Sequence, residues 1–161
     1  MKYDIYIEEK QKSGKFYFRA IEEYKKRLGR YCKITIHTVK KEKEWLKQIE
    51  RENGMEKRII VPGKSVMTSE KLSEMMGMWE TSGKKGVEIY IPDVLAEERN
   101  KEGEDGKENC PKKEAEKIRN QYGKEELVLS DFSMSPVMTG MILCEQIYRG
   151  YRILHHHPYH K

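Results

Sequence analysis

Short apolar segments with two different spacings alternate along most of the chain. Residues 3–7 alternate apolar and polar side chains, which is typical of a strand with one buried face. Residues 17–28 instead carry apolar side chains four, three and four positions apart, the spacing of an amphipathic helix. The pattern continues with strands predicted at 32–36, 58–61, 87–91 and 127–130, and with helices predicted at 45–49, between 68 and 83, and at 141–154. This alternation predicts an α/β protein with a mostly parallel five-stranded sheet and flanking helices.

The loops after the predicted strands are the places to look for a binding site. In parallel sheets, ligands lie beyond the carboxyl ends of the strands. Here those loops are 62–68, 92–97 and 130–140. The sequence contains no glycine-rich dinucleotide motif, phosphate-binding loop, HExxH motif or GxSxG motif, so these common chemistries are not indicated.

A charged segment interrupts the pattern near residue 97. Of the 30 residues 97–126, 18 are charged and few are apolar. Such a composition buries too little surface to offset the entropy of ordering, so its first half is predicted to be a mobile loop, with 112–122 able to form a surface helix. With 161 residues, the chain is predicted to be one domain, 1–161, that carries an insertion at about 97–124.

Charge and cysteine content favour a cytoplasmic protein. The net charge of +5 suits a polyanion such as RNA, and it equally suits ordinary solubility. No run of 18 apolar residues and no signal-peptide core occurs, so no membrane association is predicted. Cys32, Cys110 and Cys144 are scattered, which indicates reduced thiols rather than disulfides or a CxxC metal site.

Three features near the C-terminus allow more than one interpretation. The run His155–His157 binds metal adventitiously more often than physiologically, because consecutive histidines do not converge on one ion, so no metal is predicted. Met134, Met138 and Met141 fit a ligand pocket, a dimer interface or core packing. The tail 158–161 offers Tyr, His and Lys for base stacking, hydrogen bonding and phosphate contact, or is a disordered terminus.

The closing segment resembles a known family. CEQIYRGYRI at 144–153, followed by HPYHK at 157–161, resembles the last helix and tail of the ribosomal RNA large-subunit methyltransferase H family. LSDFSM at 129–134 falls where that family has a cofactor-binding loop. Further similar stretches are 18–34, PGK at 62–64 and TSE at 68–70.

The resemblance implies a SPOUT-class methyltransferase. Such an enzyme transfers a methyl group from S-adenosylmethionine to N3 of a pseudouridine in large-subunit ribosomal RNA. The implied fold threads the C-terminal chain into a trefoil knot, which is an exception among proteins. The implied assembly is a homodimer that holds S-adenosylmethionine in the knot and contacts RNA through both subunits.

The resemblance also assigns site residues. Tyr159 and His160 are expected to act on the target nucleotide. The residues expected to line the cofactor site are Ile59, Pro92, Leu129, Ser130, Asp131, Phe132, Ser133 and Met134. Arg149, Arg152 and Lys161 are candidate phosphate contacts, although the arginines would also fit a solvated helix face and Arg149 could pair with Glu145.

Three departures from the family pattern leave an alternative open. Pro92-Asp93 stands where the family has a glycine pair, Ser135-Pro136 where it has Pro-His, and Gly140 where it has arginine. The alternative is a catalytically inactive knotted paralogue that binds RNA or ribosomes, and a nucleotide-binding regulator is a third interpretation. The retained tail 159–161 favours the enzyme, because a scaffold would not need it.

Overall fold

The structure, a computed structural model, describes residues 1–12, 14–95, 120 and 125–158. Apart from residue 120, the predicted insertion 97–124 lies outside the described residues. The described strands are β1 (Lys2–Glu8), β2 (Lys33–Val39), β3 (Glu56–Ile60), β4 (Val87–Ile91) and β5 (Glu125–Leu127). The described helices are α1 (Lys15–Leu28), α2 (Glu42–Glu50), α3 (Ser69–Thr81) and α4 (Pro136–Leu154). None of these helices combines the length and apolar character needed to cross a membrane.

The five strands form one sheet in the order β2-β1-β4-β3-β5. All of the pairings are parallel, with Ile5 opposite both Ile36 and Ile89, and Ile59 opposite Tyr90. The prediction of a mostly parallel five-stranded α/β sheet is therefore confirmed. Because the strands are parallel, the carboxyl ends of β1, β4 and β3 lie side by side at one edge, where a ligand site is expected.

The main hydrophobic core lies between one face of the sheet and helices α1, α3 and α4. Alternate residues of β1, Tyr3, Ile5 and Ile7, are fully buried on this face. Tyr3 meets Tyr151 of α4, and their hydroxyl oxygens are 3.3 Å apart. The first strand and the last helix therefore pack directly against each other.

A smaller cluster lies on the opposite face, under α2. Trp45 and Ile49 of α2 pack there with Ile59, Val61 and Tyr90. The helix supplies these side chains from positions four apart, so both lie on its buried face. This cluster fixes the second layer of the α/β arrangement.

A glycine allows α4 to approach the sheet closely near its start. A Cβ atom at Gly140 would lie 2.7 Å from Cδ1 of Ile7, well inside normal contact distance. Ile91 also lies within 4 Å of that position. Gly140 therefore lets the first turns of α4 lie against the ends of β1 and β4.

Among the predicted boundaries that differ from the structure, those of the last strand and the last helix bear on the site. The last strand ends at Leu127 rather than spanning 127–130, and α4 begins at Pro136 rather than Met141. The earlier start of α4 has a local cause. Ser135 is the N-cap, its hydroxyl accepts the backbone N–H of Met138 at 3.3 Å, and Pro136 occupies the first turn, where its missing N–H costs nothing.

Candidate functional site

A cleft opens at the carboxyl ends of β3 and β4. It is formed by the ends of both strands, by the segments that follow β3, β4 and β5, and by the first turn of α4. The residues that line it are Ile60, Val61, Pro62, Ile91, Pro92, Val94, Leu129, Ser130, Phe132, Ser133, Met134 and Thr139. Apolar walls with a few polar groups, at this position in a parallel sheet, are typical of a small-molecule site.

The hydroxyls of the cleft differ in how they are engaged. Ser130 Oγ donates to the carbonyl oxygen of Phe132 at 2.9 Å and accepts its backbone N–H at 3.1 Å, which closes a tight turn. The Phe132 side chain, 69% exposed, lies at the rim. Ser133 Oγ is buried and has no hydrogen-bond partner among the described residues. It is therefore a polar atom that a bound molecule can satisfy.

Backbone hydrogen bonds hold the segment after β5 against the loop after β3. Val61 N–H donates to the carbonyl oxygen of Leu127 at 3.1 Å, and Met67 N–H donates to that of Val128 at 2.8 Å. Gly63 N–H donates to the carbonyl oxygen of Ser130 at 3.0 Å. The sequence predicted 127–130 as a strand. The backbone of this segment instead continues to pair with the irregular chain around Pro62, which itself has no N–H to donate.

The opposite wall of the cleft is a turn of three residues. Val94 N–H donates to the carbonyl oxygen of Pro92 at 3.1 Å, and both residues line the cleft. The N–H of Asp93, between them, donates to Oε2 of Glu8 at 3.1 Å. The same oxygen accepts the indole N–H of Trp45 at 3.1 Å. The turn is therefore tied to the end of β1 and, through Trp45, to α2.

The structure brings most of the predicted cofactor residues together. Six of the eight line the one cleft: Pro92, Leu129, Ser130, Phe132, Ser133 and Met134. Ile59 and Asp131 do not line it. Ile59 is 2% exposed and packs under α2, because successive side chains of β3 point to opposite faces of the sheet. Asp131 is exposed.

Sequence reasoning did not name the other half of the lining. Pro62, Val94 and Thr139 belong to it, and each lies in one of the three loops that the strand pattern singled out. Ile60, Val61 and Ile91 are the final residues of β3 and β4 or follow them directly. Their position at the ends of strands is the feature from which the sequence could have identified them as lining residues.

The predicted RNA contacts on α4 are engaged within the protein. Arg149 donates from Nη2 and Nε to Oε1 of Glu145, at 2.9 and 3.2 Å. Arg152 donates from Nη2 to the carbonyl oxygen of Pro158 at 2.6 Å. Arg152 thus holds the start of the tail. Tyr159, His160 and Lys161 lie outside the described residues, and the roles of all five residues stay predictions.

The histidine run and the methionines occupy different surroundings. His155 stacks on Tyr31, with ring centroids 5.2 Å apart. Within 1–12, 14–95, 120 and 125–158, no group of three or more His, Cys, Asp or Glu side chains could hold a metal ion. Met134 lines the cleft, whereas Met141 packs against the main core. The pocket and core interpretations therefore each fit one methionine.

The two described cysteines are unreactive in character. Burial raises the pKa of Cys144 to about 12, and burial likewise raises the pKa of Cys32 to about 12. A thiol with such a pKa is protonated at neutral pH and is a poor nucleophile. Neither thiol is therefore a candidate catalyst.

Comparison with known proteins gives a consistent result. The family model described as "Predicted SPOUT methyltransferase" matches residues 1–160. Ribosomal RNA large subunit methyltransferase H 1 of Thermoanaerobacter sp. (strain X514) is 33% identical over 161 residues, covering 100% of both chains. Ribosomal RNA large subunit methyltransferase H of Acetivibrio thermocellus is 27% identical over 171 residues, and that of Clostridium kluyveri is 29% identical over 167 residues. Both alignments cover 91% of this chain and 92% of the relative.

Proposed function

The chain belongs to the SPOUT methyltransferase family, and we propose that it transfers a methyl group from S-adenosylmethionine to large-subunit ribosomal RNA. The observation that carries this proposal is the cleft at the carboxyl ends of β3 and β4, which gathers Pro92 and most of 129–134. The substrate follows the names of the relatives, each a ribosomal RNA large subunit methyltransferase H.

The residues of the cleft fit an adenosine-containing cofactor. Leu129 and Met134 offer apolar surface to a base or ribose, and the buried Ser133 hydroxyl offers an unused hydrogen bond. When bound, S-adenosylmethionine supplies an electrophilic methyl group on a sulfonium. The cleft residues would hold and orient the cofactor and keep water from it, since positioning supplies much of the acceleration in such transfers.

The proposal extends to the tail and the target base. Tyr159 and His160 would bind and orient the target nucleotide, with N3 of a pseudouridine as the methyl acceptor. Lys161 would contact phosphate. Arg152 supports this arrangement by holding the Pro158 carbonyl, and Arg149 keeps its ion pair with Glu145 unless phosphate displaces it.

The length of α4 supports a homodimer. Thr139 at its start lines the cleft, and Arg152 near its end holds the tail. These two residues are 13 positions apart, which is about 20 Å along a helix. A tail that starts at the far end of α4 is better placed for the cleft of another subunit than for its own. We therefore infer a site that two protomers share.

The remaining features of the proposal follow the family. They are a single SPOUT-like domain over 1–161, a trefoil knot and a cytoplasmic location.

Calorimetric titration with S-adenosylmethionine and S-adenosylhomocysteine tests the proposal. We expect micromolar binding of both, followed by methyl transfer to ribosomes that lack the modification. Binding without transfer, together with binding to ribosomes, would instead identify an inactive knotted paralogue, which the proline at position 92 favours because it removes a backbone donor at the cleft. No binding at millimolar ligand would overturn the cofactor assignment.

A further inference from the structure

We propose that Glu8 is a positioning residue for the cleft: its carboxylate fixes the Pro92–Val94 turn that forms one wall. This inference rests on the proposed function, since it takes that cleft to be the cofactor site. Glu8 itself does not line the cleft and acts through the backbone of the turn.

The register of the sheet places Glu8 beside this turn. Ile7 pairs with Ile91, so the next residue of β1 lies alongside Pro92. Glu8 is the last residue of β1 and is 3% exposed. Its Oε2 accepts the backbone N–H of Asp93 and the indole N–H of Trp45, both at 3.1 Å.

The turn needs such an acceptor because of its sequence. Pro92 has no N–H, so it cannot extend the parallel ladder beyond β4. Asp93 is buried, and a buried backbone N–H must find a partner. The carboxylate of Glu8 supplies that partner as a charge-assisted hydrogen bond, which is stronger than a neutral one. Trp45 then restrains the carboxylate from the side of α2, and Lys10 Nζ lies 3.2 Å from its other oxygen.

Asp4 provides a matched control on the same strand. Its carboxylate lies on the same face as Glu8 and is also buried, with 6% exposure. It pairs with Lys2 at 2.7 Å and lies 3.4 Å from His37 Nε2. Neither contact reaches the cleft, so Asp4→Asn perturbs a buried carboxylate of β1 without touching the turn.

The experiment compares Glu8→Leu, Glu8→Gln and Asp4→Asn with the unaltered protein. Leucine keeps the approximate shape but removes the acceptor, whereas glutamine keeps an acceptor oxygen. We expect Glu8→Leu to raise the Kd for S-adenosylhomocysteine about tenfold or more, and Glu8→Gln and Asp4→Asn to change it less than about threefold. Hydrogen exchange of the Asp93 amide, measured without ligand, should accelerate about tenfold in Glu8→Leu alone.

The two readouts separate the two proposals. Unchanged affinity in Glu8→Leu, or equal losses in Glu8→Leu and Glu8→Gln, would overturn the positioning role while leaving the cofactor assignment intact. Failure of the unaltered protein to bind S-adenosylhomocysteine would overturn the cofactor assignment. Amide exchange then still tests whether Glu8 holds the turn. Equal exchange rates of the Asp93 amide in all variants would contradict that role. Should Glu8→Leu not fold, Glu8→Ala keeps the test open, because it also removes the acceptor and should likewise accelerate exchange of the Asp93 amide.

Discussion

Ser133 combines burial with an unused hydrogen bond. A buried hydroxyl without a partner destabilises the free protein, and a ligand that pairs with it recovers that free energy. We expect Ser133→Ala to weaken S-adenosylhomocysteine binding about fivefold, and not to lower the thermal midpoint, because no internal hydrogen bond is lost. Calorimetry and thermal unfolding measure the two effects. The exposed Ser65, mutated to alanine, is the control, and unchanged affinity in Ser133→Ala would contradict the role.

The buried thiols predict a loss of stability at high pH. Burial raises the pKa of Cys32 and of Cys144 from 9.0 to about 12. Between these pH values the unfolded chain releases thiol protons that the folded chain keeps. The contribution of the thiols to stability is therefore complete below pH 9 and is lost as the pH rises towards 12. Urea unfolding should therefore show a lower midpoint at pH 10.5 than at pH 8. A Cys32→Ser, Cys144→Ala variant should show a smaller decrease, and an equal one would assign the effect to other groups.

For single residues, the sequence predicted which of them lie at the site better than it predicted which contacts they make. The resemblance placed Pro92 and most of 129–134 at one site, and the structure gathers them around one cleft. It could not reveal that Ile59 faces α2, since one residue of register reverses the side of a strand. Nor could it reveal the contact between Glu8 and Asp93, which joins residues 85 positions apart.

Among the elements, β4 depends on a glycine at its entry. A Cβ atom at Gly86 would lie 2.5 Å from the carbonyl oxygen of Lys2, which is backbone and cannot move aside cheaply. We expect Gly86→Ala to lower the free energy of unfolding by about 2–3 kcal/mol. Denaturant titration measures this loss. Gly14→Ala is the control, because nothing lies within 4 Å of its Cβ position, and similar losses in both variants would contradict the steric explanation.

The types of the elements could be predicted from periodicity, whereas several of their boundaries could not. Residues 127–130 were predicted as a strand because the first three are apolar, but among them only Leu127 pairs with β3, and Val128 and Ser130 accept hydrogen bonds from the loop after β3. The start of α4 was missed because 130–140 was interpreted as the loop that follows the last strand. The Ser-Pro pair was the usable signal, since it provides an N-cap followed by a proline in the first turn.

For the whole molecule, the proposed site shared by two protomers predicts complementation between two inactive variants. Tyr159→Ala/His160→Ala would remove the tail function, and Ser133→Phe would fill the cleft. An equimolar mixture of the two variants that exchange subunits should recover about one quarter of normal methyl transfer, because about half of the dimers are mixed and each has one intact site of two. Each variant alone is the control. Activity that does not exceed that of the separate variants would show that the tail serves its own subunit.

The order of the strands could not be predicted from any local stretch of the sequence. Alternation predicted a parallel sheet, but the order β2-β1-β4-β3-β5 depends on which strands meet across the core. β5 pairs with β3 beyond the intervening charged segment, with Glu125 opposite Arg58. Such pairings depend on how the whole chain buries its apolar surface, and not on any short stretch of residues.

The contact between Tyr3 and Tyr151 has a consequence for how the protein forms. These residues are 148 positions apart, and both belong to the main core. The inner face of the interior strand β1 is therefore covered only when α4 packs on it, and the cleft is completed by the same helix. Contacts of such long range slow folding, because chain entropy is lost before they form. During synthesis, β1 stays without its final partner until α4 has been made, so its apolar inner face is exposed to aggregation until that point.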